Sequence, residues 1–183
     1  MDFMECVQGR RSVRKYKPNA INEPVLQKII QAASYAPSWK HTQTTRYIII
    51  QDPQKKSDFA EQCVMGHEGN KATILNAPAI ILITTIGSRS GYERDGTFST
   101  SKGLHWQSFD AGIATQTLCL AAWNEGLGTV VMGIFDEERV AEIVDIPEGQ
   151  TLSAMVAIGE PLEISPMPKR KEVSDLLTMD TSK

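Results

Sequence analysis

Apolar positions along the chain fall into two kinds of stretch, some at helical spacing and some in unbroken runs. Leu26, Ile29, Ile30 and Ala33 recur at i, i+3, i+4 and i+7, which predicts a helix with one apolar face. Asn22 reads as its N-cap, with Glu23 and Pro24 in the first turn, and the pattern is expected to end near Ala36-Pro37. Residues 46–51 hold Tyr47-Ile48-Ile49-Ile50, a buried strand by its β-branched content. Asp52-Pro53 predicts the start of a helix reaching about Met65, and residues 68–76 a further helix closed by Ala77-Pro78. Residues 79–85, 129–132 and 152–158 complete a set of four predicted strands, with a short helix from Asp136 to Val144 between the last two. The longest element covers residues 104–124. Trp106, Phe109, Ala111, Ile113, Ala114, Leu118, Leu120, Ala121 and Ala122 leave it apolar almost all round, so it is expected to be buried in a core or between subunits.

Between these elements lie the polar stretches. Residues 38–45 are polar and aromatic and too irregular for a helix. Residues 87–103 form a long loop of Gly, Ser, Thr, Arg and Asp, in which Tyr92 and Phe98 are the large apolar side chains. Loops of that length in compact domains are usually functional or mobile. Near the C-terminus, Lys169-Arg170-Lys171 precedes a short amphipathic piece at residues 173–177. No repeat and no linker divides the chain, so residues 1–183 are expected to form one domain.

Composition narrows the function classes. The net charge of −3 argues against a partner that is nucleic acid or an anionic membrane, and makes the two basic stretches local features in need of a local anion. Three widely spaced cysteines, Cys6, Cys63 and Cys119, suit free thiols in a reducing compartment better than a disulfide scaffold. Asp2 and Glu5 interrupt the apolar start, which does not read as a signal peptide, and residues 77–86 are about half a membrane span, so a cytoplasmic protein is expected.

The first basic stretch is Gly9-Arg10-Arg11-Ser12-Val13-Arg14-Lys15-Tyr16, close behind the short apolar segment 1–7. Gly9 is suited to the left-handed turn that ends a helix. Guanidinium groups present forked donors that match phosphate oxygens in pairs, and Ser12 adds a hydroxyl. A solvated basic turn after a helix is the simpler reading of the same residues. Nucleotide loops and hydrolase motifs are missing: Gly126-Leu127-Gly128 precedes a strand rather than following one, and Arg89 stands where a nucleophile would sit in Gly87-Ser-Arg-Ser-Gly91. Cys63 and His67 lie four apart on a predicted helix, but two ligands do not make a metal site, and no metal is expected.

Taken in chain order, four stretches resemble the nitroreductase family of flavoenzymes. The family opens with a short helix and then an Arg-Arg/His-Ser-x-Arg/Lys-x-Tyr/Phe segment, here Arg10 to Tyr16. It has a Pro-Ser-x-x-Asn-x-Gln loop before a strand, here Pro37-Ser38-Trp39-Lys40-His41-Thr42-Gln43, with His41 for the usual Asn and Thr44-Thr45 for a common Pro-Trp. Asn124 to Thr129 resembles the end of its central helix, and the following strand carries Met132-Gly133. Pro168-Lys169-Arg170-Lys171 matches its C-terminal basic stretch.

The resemblance implies an α+β subunit, with a mostly antiparallel central sheet flanked by helices, in an intertwined homodimer. It also implies FMN held at the dimer interface by Arg10, Arg11, Ser12, Arg14, Pro37, Ser38, Trp39, His41, Gln43, Met132, Gly133, Lys169 and Lys171. Hydride would come from NADH or NADPH and pass on to a small-molecule acceptor such as a nitro compound or quinone. The flavin would carry the chemistry, with no obligatory protein acid. Tyr92, Phe98, His105 and Trp106 are candidates for the acceptor pocket. A flavin-binding store or sensor without turnover, and an anion-binding module, are the alternatives.

Overall fold

The computed structural model describes residues 1–180. Its centre is a four-stranded antiparallel sheet of β1 (Thr45–Ile50), β2 (Ala79–Ile86), β3 (Gly128–Met132) and β4 (Gln150–Gly159), in the order β1-β2-β4-β3. β1 and β3 are therefore the two edges. Seven helices surround it: α1 (Phe3–Gly9), α2 (Glu23–Ala33), α3 (Pro53–Gln62), α4 (Glu68–Asn76), α5 (His105–Asn124), α6 (Glu137–Ile143) and α7 (Val173–Leu176).

The unbroken apolar run of β2 is explained by burial on both faces. Ile80 and Leu82 point into one core with Val13, Tyr16, Phe59, Ile74, Val140 and Met155, under α3, α4 and α6. Ile81 and Ile83 point into the other with Leu26, Ile29, Leu118, Val156 and Ile158, under α2 and α5. Alternate residues of each central strand thus serve opposite layers. A bulge between Ile83 and Thr84 shifts the β2–β4 register where the strands approach the loop 87–103.

Several local expectations are corrected. Gly9 is not left-handed; it is the last residue of α1, and a Cβ there would stand 2.9 Å from Trp123 Nε1, so glycine is needed for close packing on α5. Asn22 is the N-cap residue of α2 as expected, though its side chain makes no capping bond, and α2 stops at Ala33 rather than near Ala36-Pro37. Cys63 and His67 share no helix. α3 ends at Gln62 with Cys63 as its C-cap, Met65 and Gly66 take positive φ in the turn that follows, and His67 instead caps α4 by accepting from the Asn70 N–H. Among the described residues no group of three or more metal-ligating side chains assembles.

Within a single chain α5 is buried along one side: Asp110, Ala111, Ala114, Thr115, Leu118, Cys119 and Ala122 are buried, while Ser108, Phe109, Gly112 and Gln116 are exposed. The polar residues within the apolar pattern, Asp110 among them, are sorted by tertiary contact rather than by periodicity. Among the described residues no helix is long and apolar enough to cross a membrane.

Candidate functional site

The basic segment after α1 runs along the exposed edge of β3. The Val13 N–H donates to the Thr129 carbonyl at 2.9 Å, and Ser12 forms a parallel bridge with Thr129. Gly128 makes this approach possible, since a Cβ there would lie 2.4 Å from Val13 Cγ2. Val13 and Tyr16 anchor the segment in the core, and the Tyr16 hydroxyl donates to the carbonyls of Val13 and Ala157. Burial pushes the Tyr16 hydroxyl pKa well above its ordinary value, with the Arg14 guanidinium pulling the other way. Apolar anchors at Val13 and Tyr16 leave Arg10, Arg11 and Arg14 on the outer side. Among the described residues, none of these three arginines forms an ion pair with a carboxylate. Arg11 folds back through Nη1 onto the carbonyls of Gln8 and Arg10.

Two asparagines that sequence reasoning passed over organise the neighbouring wall. Asn76 Oδ1 accepts from the Tyr16 N–H and its Nδ2 donates to the Arg14 carbonyl, tying α4 to the basic segment. Asn70 donates to the Ile134 carbonyl just past β3. A shallow cleft of about 390 Å3 lies between these elements, lined by Arg14, Tyr16, Gly69, Thr73, Asn76 and Leu162. Met132 is buried at the end of β3, whereas Gly133 is exposed and a Cβ built on it meets nothing within 4 Å. The tail follows the same wall: Leu162 N–H donates to the Lys15 carbonyl and Lys15 pairs with Glu163. Lys169, Arg170 and Lys171 lie beyond that point, exposed.

The second group of predicted residues gathers elsewhere. Pro37 and Ser38 lead into a 3-10 turn at Trp39–His41, and Lys40, His41 and Gln43 all take positive φ. Three such non-glycine residues in four positions are a strained conformation that needs outside support. Ser38 Oγ accepts from the Gln43 N–H, and the Gln43 and His41 side chains meet at 2.8 Å. The Trp39 N–H donates to both oxygens of Asp110. Trp39 and Trp106 rings lie 4.6 Å apart, and Phe109 meets Trp106 edge-on.

Tyr92 and Phe98 stack on each other across a tight bridge, 4.8 Å between ring centres. Loop 87–103 is therefore a folded turn structure rather than an open strap. His105 is exposed in the first turn of α5.

The two groups sit at opposite ends of the molecule. Residues 10–16 cover the β3 edge and residues 37–43 lead into β1, the other edge. On α5, Gly9 packs against Trp123 and Trp39 against Asp110, about 20 Å apart along the helix axis. A single chain thus does not bring the two groups together: one is a cationic edge whose arginines lack carboxylate partners among the described residues, and the other is an aromatic, strained loop.

The donor set suits a phosphorylated, flat ligand such as FMN. Three arginines without carboxylate partners match a phosphate, and Gly133 leaves room for a ring against backbone. A doubly covered antiparallel sheet with a cationic segment on its edge defines the class. The chain belongs to the nitroreductase family, whose model matches residues 7–68 and 62–160.

A protein of Methanothermobacter thermautotrophicus named as an NADH dehydrogenase/NAD(P)H nitroreductase is 29% identical over 167 residues, covering 89% of this chain and 79% of that protein. An NADPH-dependent oxidoreductase of Staphylococcus haemolyticus is 25% identical, and the chain spans 64% of its length. Among solved structures, a nitroreductase family protein from Clostridium novyi NT is 29% identical with a TM-score of 0.77, over 88% of this chain and 86% of that one. A protein from Exiguobacterium sibiricum, solved in complex with FMN, shares the fold at 21% identity and a TM-score of 0.83, over 98% of each chain.

Proposed function

We propose that this protein is an FMN-dependent oxidoreductase that takes a hydride from NADH or NADPH and passes electrons to small acceptors such as nitro compounds or quinones. It works as a homodimer, in which residues 37–43 of one subunit complete the site begun by residues 10–14 and 132–133 of the other. The observation that carries this reading is the separation of the two half-sites to opposite sheet edges and opposite ends of α5. A second copy supplies the missing half without any rearrangement of the fold. Exposed apolar residues beside those halves, Phe109, Val131 and Ile134, fit a surface that a second subunit covers.

FMN, when bound, supplies the hydride- and electron-accepting chemistry. Arg10, Arg11, Ser12 and Arg14 hold its phosphate from one side, with Lys169 and Lys171 closing on the same anion. Arg10 and Arg14 place positive charge beside the site, which favours the gain of electrons there. Gly133 lets a flat ring approach β3 backbone, and Pro37, Ser38, Trp39, His41 and Gln43 of the second subunit form the facing wall. Tyr92, Phe98, His105 and Trp106 border the space left for the acceptor.

The test is to purify the protein, quantify bound flavin, and follow NADH and NADPH oxidation with a nitroarene and a quinone. The expected result is about one FMN per subunit and acceptor-dependent turnover. Protein that binds no FMN at micromolar concentration overturns the reading. Protein that keeps FMN but oxidises neither nicotinamide is a flavin store or sensor instead.

A further inference from the structure

Asp110 is the one carboxylate buried within the described core, 3% exposed, and the mechanism above does not use it. It sits in the second turn of α5, where both oxygens accept from the Trp39 N–H at 3.1 and 3.0 Å. One of them also accepts from the Ser90 hydroxyl at 2.7 Å, and Ser90 is fully buried. These donors belong to two different loops, 37–43 and 87–103. A carboxylate taken out of water is costly unless its oxygens are satisfied, so keeping it there implies that its partners are held in return.

Other contacts join the same two loops. Lys40 pairs with Glu93 at 2.8 Å, and Trp39 lies against Trp106, whose Nε1 donates to Thr100. The Lys40–Glu93 pair is exposed and contributes little by itself. The Asp110 carboxylate is buried, and its hydrogen bonds to Trp39 and Ser90 are charge-assisted, the stronger kind. They also brace the turn at Trp39–His41 just where positive φ at Lys40, His41 and Gln43 stores strain.

We propose that Asp110 is a positioning residue that locks the flavin-facing loop 37–43 to the acceptor-side loop 87–103, so that the two are held as one body on α5. This rests on the functional reading above for what the loops face, but the coupling itself stands on the hydrogen bonds alone.

The experiment compares wild type, Asp110→Asn, Asp110→Ala and Ser90→Ala. Limited trypsin digestion of the flavin-free protein reads the coupling directly, with Lys40 in one loop, Arg94 in the other, and Lys55 in α3 as an internal control. Asp110→Ala and Ser90→Ala should each speed cleavage after both Lys40 and Arg94 without changing Lys55. Asp110→Asn keeps an acceptor for Trp39 and should restore slow cleavage. In holoenzyme, Asp110→Ala should weaken FMN binding about tenfold and Asp110→Asn should recover most of it. Loosening of one loop only, or faster cleavage at Lys55 in step with the others, overturns the proposal. If Asp110→Ala does not fold, Ser90→Ala decides. Wild type that binds no FMN would defeat the functional reading, while the digestion still decides the coupling.

Discussion

The Val13 amide and the Thr129 carbonyl meet at 2.9 Å, and this bond sets a cationic segment on the edge of a sheet rather than in solvent. Val13 and Tyr16 are buried while Arg14 and Lys15 between them are exposed, so two anchors hold the segment and present the cations between them. The edge that β3 would otherwise leave open is partly covered by the same residues.

The fit of that segment depends on Gly128. Gly128→Ala drives a methyl group into Val13 Cγ2 at 2.4 Å, against a core side chain with little freedom to move. The expected outcome is a loss of about 1–3 kcal/mol in stability together with weaker FMN retention. Denaturant unfolding and the flavin-to-protein absorbance ratio check both.

Removing a guanidinium should separate binding from folding. Arg10→Ala and Lys169→Ala are each expected to weaken FMN binding by about 10- to 100-fold while the melting temperature of the flavin-free protein holds. Titration of flavin-free protein with FMN measures this. Unchanged affinity in both variants would remove the phosphate site from these residues.

Subunit association is expected to be obligate. Sedimentation at micromolar concentration should show a dimer, and Val131→Glu, on the exposed surface of β3, should shift it toward monomer with loss of flavin. A stable monomer that retains FMN would show that the two half-sites are not joined by a second copy.

Shortening the turn between Tyr92 and Phe98 by deleting residues 93–97 leaves Ser90 and its bond to Asp110 in place. Acceptor preference and KM are expected to change while FMN stays bound. Equal kcat/KM values for wild type and the shortened protein across nitroarenes and quinones would leave this turn without a part in acceptor choice.

Alkaline pH should destabilise the fold through Cys63. Burial raises its thiol from 9.0 to about 11, with Asp136 adding to the rise. The folded chain keeps a proton that the unfolded chain releases, so the stability tied to this group is complete below about pH 9 and is lost by about pH 11. Cys63→Ala should flatten the fall in unfolding free energy across that window, as measured by denaturant titration at each pH. An unchanged slope would assign the fall to other groups, such as buried Tyr16.

The strands and most helices were legible because their signals are local. β2 reads as a run of β-branched and apolar residues, Asp52 and Asp136 sit before their helices and cap them, and the order of four short stretches pointed to the family. Gly9 was misread because its requirement is not a backbone angle but the Trp123 ring more than a hundred residues away. The same holds for Asn76, whose role depends on the chain returning to Tyr16 and Arg14.

Composition and pattern by themselves determined the separate strands and helices and a cationic segment near the start of the chain, because periodicity and charge are properties of neighbouring residues. Which residues share a site was decided only by the tertiary structure. Asp110 is a polar residue that the sequence pattern does not single out, and it is a buried junction only because Trp39 and Ser90 fold onto it. The two halves of the candidate site were separated in the same way, by a strand order that puts β1 and β3 at opposite edges. Hydrogen bonding and close packing act through space, and the linear spacing of residues does not encode the distances on which they depend.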